Sequence, residues 1–452
     1  MRLWLLILFV ASYVSAADQP VSWFHDIRPL FKTSCVSCHR PEKRKGKLDL
    51  TSYAGLQQGG ESGACFKAHH PGDSLVVKQV SGEEPEMPPK GETLQLEEIE
   101  LISRWLKEGA LDDTPEQTPD FFRAPETPPI YTRLPVITSM AYHTNGTLLA
   151  VAGYHEILLY EPLSRTVVAR LLGALPRLES LAFSPDGQLL AASGGIPAEF
   201  GEVQIWDLAK HTLQRRIRVS QDALYGVSWS PDSQRIAVGG ADKMVRVFTV
   251  SDGKEVMRCD NHTGWVMDTA FTPDGKRLVS ASLDKLIKLI DVETGQLVDD
   301  VNIPRDPESC LARHPTEALV AHGGEHGKIR LHKMEPRGGR LAEGDNAEKS
   351  YVRESEGLAP PIQALAFNHD GSLFAAAGDK GEVHVFKTEN GRREKMIKLE
   401  TAVFTLAFHP TTNLIVAAGA DGMIHELDVS TGKERQAWAA VPLSQEANPE
   451  KK

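Results

Sequence analysis

The 452-residue chain carries 50 basic and 61 acidic side chains, a formal charge of −11, and 41 % hydrophobic residues. That balance excludes a disordered or membrane-embedded chain and argues against nucleic acid as the main partner. The length calls for two or more domains.

In chain order, Met1-Arg2 is a short positive region and Leu3 to Val14 (LWLLILFVASYV) is an apolar run too short to span a bilayer comfortably. Val14-Ser15-Ala16 then supplies a small-residue cleavage site. Residues 1–16 are therefore expected to be a secretory signal peptide, removed in a mature protein exported to a periplasmic or equivalent extracytoplasmic compartment. No later segment is apolar enough to cross a membrane, so no integral span is expected after cleavage. Five cysteines, Cys35, Cys38, Cys65, Cys259 and Cys310, lack the even spacing of a disulfide scaffold.

Phe24 to Thr33 (FHDIRPLFKT) predicts a helix whose stripe is Phe24, Ile27, Leu30 and Phe31, with Pro29 near its first turn. Cys35-Val36-Ser37-Cys38-His39 follows, a C-x-x-C-H with the spacing of a c-type haem attachment. On one helical turn, thiols at i and i+3 reach the two vinyl groups of one haem edge, and an imidazole at i+4 lies under the iron. A zinc site would need further ligands, for which Cys65, His69 and His70 (CFKAHH) are candidates, but that spacing is neither a ribbon nor a finger. Haems of this kind commonly take a sixth ligand from a distant part of the chain. Met87, in Glu86-Met87-Pro88-Pro89, is a candidate; His25, His69 and His70 are the histidine alternatives, and they would give a lower potential. Leu96 to Glu108 (LEEIELISRWLKE) predicts a second helix with Leu96, Ile99, Ile102, Trp105 and Leu106 inward and Gly109 as its stop.

The segments WFHDIRPLFKTSCVSCH, KGKLDL, GGESG, PGDSLVVKQV, EMPPKGETL and EEIELISRWLKEGA resemble, in order, the planctomycete-type cytochrome c domain. The resemblance implies a small all-α cytochrome c-like domain over residues 20–112. It implies haem c on Cys35 and Cys38, His39 as proximal iron ligand and Met87 as distal ligand. Between GGESG and PGDS this chain reads ACFKAHH, where the family more often has a proline and apolar residues. Arg28, Lys32, Arg40, Lys43, Arg44, Lys45 and Lys47 surround the attachment motif, whereas Glu83, Glu84, Glu86, Glu92, Glu97, Glu98 and Glu100 lie near the Met87 loop and last helix. The plain expectation is a solvated surface; the sharper one is a basic rim that steers an acidic redox partner.

Residues 113–135 read as a stiff Pro-rich linker, which Phe121, Phe122 and Tyr131 could pin to a neighbouring surface. From Val136 one unit recurs seven times, marked at Gly146, Gly187, Ser233, Gly275, Glu317, Gly371 and Asn413, with spacings of 41, 46, 42, 42, 54 and 42 residues. Periods of this size with alternating apolar residues mean propeller blades of four short strands. The WD dipeptide is intact at Trp206-Asp207, Asp242, Asp284 and Asp421 precede third strands, and His262 approximates the usual GH histidine. This part resembles the WD-repeat family and implies a seven-bladed all-β propeller over 136–442, followed by a disordered tail at 443–452. Two segments compete to close the ring, Gly432 to Pro442 and Ile130 to Leu134. The insertions at Ile196–Phe200 and Pro336–Gly357 are expected in loops. Most propeller histidines recur at equivalent turns, which points to structural roles, and the glycines around His322 and His326 argue against a helical metal site.

The functional expectation is an exported haem c electron carrier, more carrier than catalyst and with no catalytic residue assigned. Its propeller docks a partner protein, and a redox partner protein receives or supplies the electron. The alternatives are a propeller oxidoreductase with the haem as relay, and a haem-based redox or gas sensor.

Overall fold

The computed structural model describes residues 20–444, except 37, 41–44, 84, 89–92, 115–122, 304 and 337–348. The expected signal peptide, Phe121, Phe122, most of the blade-five insertion and residues 445–452 of the expected tail lie outside the described residues. The chain divides into two compact units, Met1–Asp120 and Phe121–Lys452.

In the first unit the expected leading helix is split. Ser22 caps a π-helical turn, Trp23–Ile27, its hydroxyl accepting the His25 N–H at 2.8 Å; helix α1 (Arg28–Ser34) follows, with Pro29 harmlessly in its first turn. The wider π turn rotates the stripe, so Trp23 joins Ile27, Leu30 and Phe31 in the core and Phe24 does not. Helices α2 (Tyr53–Gln58) and α3 (Leu75–Val80) are short. Helix α4 (Leu96–Lys107) starts at a capping box in which Glu98 accepts the Gln95 N–H at 2.7 Å. It buries Ile102, Trp105 and Leu106, whereas Leu96, in the first turn, stays exposed. Trp23 lies 5.5 Å from Trp105 and 5.4 Å from Tyr53 between ring centroids, and these aromatics form the centre of the unit's core. Trp105 and Tyr53 use their polar ends on Leu111 and Ala110 carbonyls, fastening the chain beyond α4.

The second unit is a seven-bladed β-propeller: seven antiparallel four-stranded sheets at residues 140–172, 178–220, 224–259, 266–300, 308–354, 362–398 and 403–439. The first strand of each blade packs against the first strand of the next, and that of blade seven against blade one. One position on these inner strands carries Ser139, Ser180, Gly226, Asp268, Cys310, Ala364 and Thr405. Where an acceptor is present it takes a backbone N–H of the following blade: Ser139 from Leu181 (3.0 Å), Ser180 from Val227 (3.2 Å), Asp268 from Leu311 (3.2 Å), and Thr405 from Met140 (3.0 Å). The last of these crosses the ring closure. The repeat turns add a second ring of bonds. Gly146, Gly187, Ser233, Gly275 and Gly371 all have positive φ, between 59° and 77°. Nε2 of His143 and of His314 donates to the carbonyls of Gly187 and Gly371 in the next blade, and His409 meets Gly146 in the same way. These histidines therefore have the structural role expected from their recurrence.

Closure follows the first of the two expected routes, since Lys433–Ala439 is the outer strand of blade seven. The other segment has a different task. Tyr131 forms a parallel bridge with Leu443, and its carbonyl accepts the Ser444 N–H at 2.9 Å, so the first two residues of the expected tail are held. The buried Tyr131 hydroxyl donates to Glu156 at 2.8 Å, and Arg170 grips that carboxylate with two bonds of 2.6 Å. Because Glu156 is buried, Tyr131→Phe is expected to lower propeller stability by about 1–3 kcal/mol, measured by urea unfolding followed through propeller tryptophan emission.

Two expectations about insertions change. Ile196 pairs with Phe200, so the blade-two insertion lengthens a hairpin instead of forming a loop; Tyr351–Glu354, expected within the blade-five loop, is that blade's outer strand. In both cases backbone pairing within the blade's sheet satisfied groups that a loop would have left to water. Among the described residues no helix is long and apolar enough to cross a membrane.

Candidate functional site

The first unit contains a cavity of about 890 Å³. One part of its wall descends from the end of α1: Thr33, Ser34, Cys35, Cys38 and His39, then Lys45, Gly46, Leu48 and Leu50. Backbone N–H groups of Cys38 and His39 both bond to the Cys35 carbonyl at 3.1 Å, so the motif makes the single turn its spacing requires. His39 is held by its Nδ1, 2.9 Å from the Lys45 carbonyl. A carbonyl can only accept, so Nδ1 carries the proton and Nε2 keeps its lone pair for a metal. Burial, and secondarily the neighbouring Cys38, push the Cys35 thiol up to about 11.

Another part of the wall is built on α3. Leu75, Val76, Gln79 and Val80 line the cavity with Cys65 and Met87. The Met87 N–H bonds to the Gln79 carbonyl at 2.9 Å, and the Val76 N–H to the Cys65 carbonyl at 2.8 Å. The cavity thus brings together Cys35, Cys38, His39, Met87 and Cys65. It does not include the other histidines. His25 is exposed against Phe24 on the π turn. His69 bonds through Nδ1 to the Lys107 carbonyl and through its N–H to that of Leu106, at the end of α4. His70 is exposed beside the 3-10 turn Pro71–Asp73.

The donor set fits a covalently held haem: two thiols three residues apart, an imidazole with Nε2 available, a thioether, and apolar walls within one space. The sequence patterns above did not single out Leu48, Leu50, Leu75, Val76 and Val80, in KGKLDL and LVVKQV, as cavity lining, although their apolar periodicity was the available signal. GGESG carries another part of the wall. A Cβ on Gly60 would lie 2.5 Å from the Gly46 carbonyl oxygen, and Glu61 N–H bonds that same oxygen at 2.7 Å. Gly60→Ala is accordingly expected to part the two segments and lower the thermal midpoint of this unit by several degrees; calorimetry of the full chain checks it.

Of the basic residues near the motif, Lys45 lines the cavity and Lys47 pairs with Glu61 at 3.0 Å; Lys43 and Arg44 lie outside the described residues, as do Glu84 and Glu92 of the acidic set. Among the described residues no group of three or more His, Cys, Asp or Glu forms a metal cluster. In the propeller, His322 and His326 diverge: His322 is buried against His332 at 2.8 Å and Glu308 at 2.9 Å, while His326 is exposed and pairs with Asp306. His262 bonds Asp284 and Ser280, each at 2.8 Å, which gives blade four the buried hydrogen-bond chain expected of a WD repeat. Tyr225, on the inner strand of blade three, and Trp265, just before the inner strand of blade four, stack at 5.9 Å, with Trp265 46 % exposed.

Comparison with known proteins gives separate matches for the two units. Residues 35–91 match the family described as Planctomycete cytochrome C. Residues 177–387 match the Nucleolar protein 10-like N-terminal domain, and residues 395–425 the WD domain, G-beta repeat. The chain is similar to the UBP9-binding protein bun62 of Schizosaccharomyces pombe, with 34 % identity over 94 residues, 21 % of this chain and 17 % of the relative. It is also similar to Protein groucho of Drosophila melanogaster, with 29 % identity over 128 residues, 27 % of this chain and 17 % of that relative. The matched part is thus a small fraction of either relative's length. The chain carries a planctomycete-type cytochrome c domain and a WD-repeat β-propeller.

Proposed function

We propose that the protein is an exported c-type cytochrome whose first unit, a small cytochrome c-like domain, carries electrons and whose propeller docks a partner protein. The observation that carries this reading is the single cavity walled by Cys35, Cys38, His39 and Met87. Cys35 and Cys38 would hold the haem by thioether bonds, with His39 as proximal and Met87 as distal iron ligand. The haem supplies a reversible one-electron couple.

The chain's own residues do the remaining work. The Lys45 carbonyl orients the imidazole and fixes its tautomer. Helix α3 carries the Met87 loop through the Gln79 carbonyl, and Leu48, Leu50, Val76 and Val80 exclude water, which favours the less charged, reduced state of a buried centre. A WD-repeat propeller supports protein binding, and the exposed Trp265 stacked on Tyr225 is the kind of rigid aromatic surface that interfaces use. The family of residues 35–91 supports an extracytoplasmic location.

The test is purification of the full chain from the exported fraction of a host with cytochrome maturation factors. One haem per chain that survives denaturation and is reversibly reduced supports the reading; stoichiometric zinc without haem sinks it.

A further inference from the structure

Cys65 is the one cavity-lining thiol outside the attachment motif, and it lies in the stretch ACFKAHH that sets this chain apart. It is 4 % exposed. The segment is fastened to α3 at several points. The Val76 N–H bonds the Cys65 carbonyl; buried Ser74 accepts the Lys67 N–H at 2.9 Å and donates to the His70 carbonyl at 2.9 Å. The other two buried cysteines outside the motif use their thiols within the propeller, Cys259 on Asn261 and Cys310 on the Gly323 carbonyl. The Cys65 thiol has no such partner among the described residues. It shares its wall with Met87, since both residues hang from α3.

We propose that Cys65 is a second, latent sulfur ligand for the haem iron, taking the sixth position when the Met87 thioether is withdrawn. The inference rests on the haem reading above. Burial pushes the thiol up to about 11, so it waits in the cavity as S–H. On meeting ferric iron the thiol forms an Fe–S bond, and its proton leaves to water. No electron is transferred, and no oxidant is required. Thioether favours reduced iron, whereas thiolate donates electron density and favours the ferric state. Two sulfurs on one wall therefore let the same site hold either oxidation state preferentially, and a Met87 lost to sulfoxide formation would not leave the iron open.

The experiment uses the full chain loaded with haem, comparing Met87→Ala and the volume-conserving Met87→Leu, each with and without Cys65→Ala. Haem staining after denaturation is read separately from ferric EPR and absorption. Low-spin ferric iron with thiolate character in both Met87 variants supports the proposal. So does its loss on adding Cys65→Ala, with imidazole binding tightened at least about tenfold. High-spin iron in the Met87 variants, or a spectrum that Cys65→Ala leaves unchanged, overturns it and assigns Cys65 to packing alone. Absence of stainable haem in the unsubstituted chain would instead overturn the haem reading itself.

Discussion

Replacing Cys35 and Cys38 together by alanine is expected to abolish haem that survives denaturation, while the propeller unfolds at its usual midpoint. Each attachment adds a thiol S–H across a vinyl group, forming one C–S bond and needing no electron acceptor. On the proposed reading the two thiols would supply both attachments from one turn, held by the bonds from Cys38 and His39 to the Cys35 carbonyl. Either single replacement leaves one thioether, which is visible as a shifted band in the reduced spectrum of the denatured protein. The propeller is expected to be indifferent because its cores are built from its own blades and the helical unit has a separate core. Stainable haem persisting in the double variant would assign attachment elsewhere, and Cys65 would be the first place to look.

The second large effect concerns stability and pH. Asp268 sits on the inner strand of blade four, half-buried, accepting N–H bonds from Thr269 at 2.8 Å and Leu311 at 3.2 Å. Burial outweighs those bonds and pushes its carboxyl up to about 7. The folded state therefore holds a proton that the unfolded chain releases above its ordinary carboxylate range, near 4. Stability from this group is fully present below about pH 4 and is lost as pH rises through about 7. A difference of roughly three pH units corresponds to at most about 4 kcal/mol. Asp268→Thr copies blade seven, where the Thr405 hydroxyl takes the equivalent bond from Met140. The variant is expected to be more stable than the parent at pH 8 by a few kcal/mol, and to lose that advantage near pH 4. Urea unfolding at both pH values checks it, and an advantage that does not change with pH would show that the carboxyl is not the source.

The parts of this protein written in short stretches of sequence were legible. C-x-x-C-H needs only one turn to bring its three side chains together, and the structure makes that turn. The recurring x-P-D-G type turns announced seven blades because each blade is a local meander, with every strand next to its neighbour in sequence. Other features depend on distance along the chain. The π turn at Trp23–Ile27 moved the buried stripe by one residue, a choice made by Trp23 packing on Trp105, far away in sequence. That Cys65 joins Met87 on one wall, while His69 turns to the end of α4, depends on how three segments meet around α3.

The amino-acid sequence by itself determined the attachment turn, the candidate ligands and the number of blades, because these follow from periodicity and spacing within a few residues. Only the tertiary structure decided which candidates share a cavity, how the ring is closed through Thr405 and Met140, what Tyr131 and Leu443 pair with, and which carboxylate is desolvated enough to keep its proton. Those outcomes rest on burial and on hydrogen bonds between residues far apart in the chain, and no local pattern encodes which distant partner a side chain will meet.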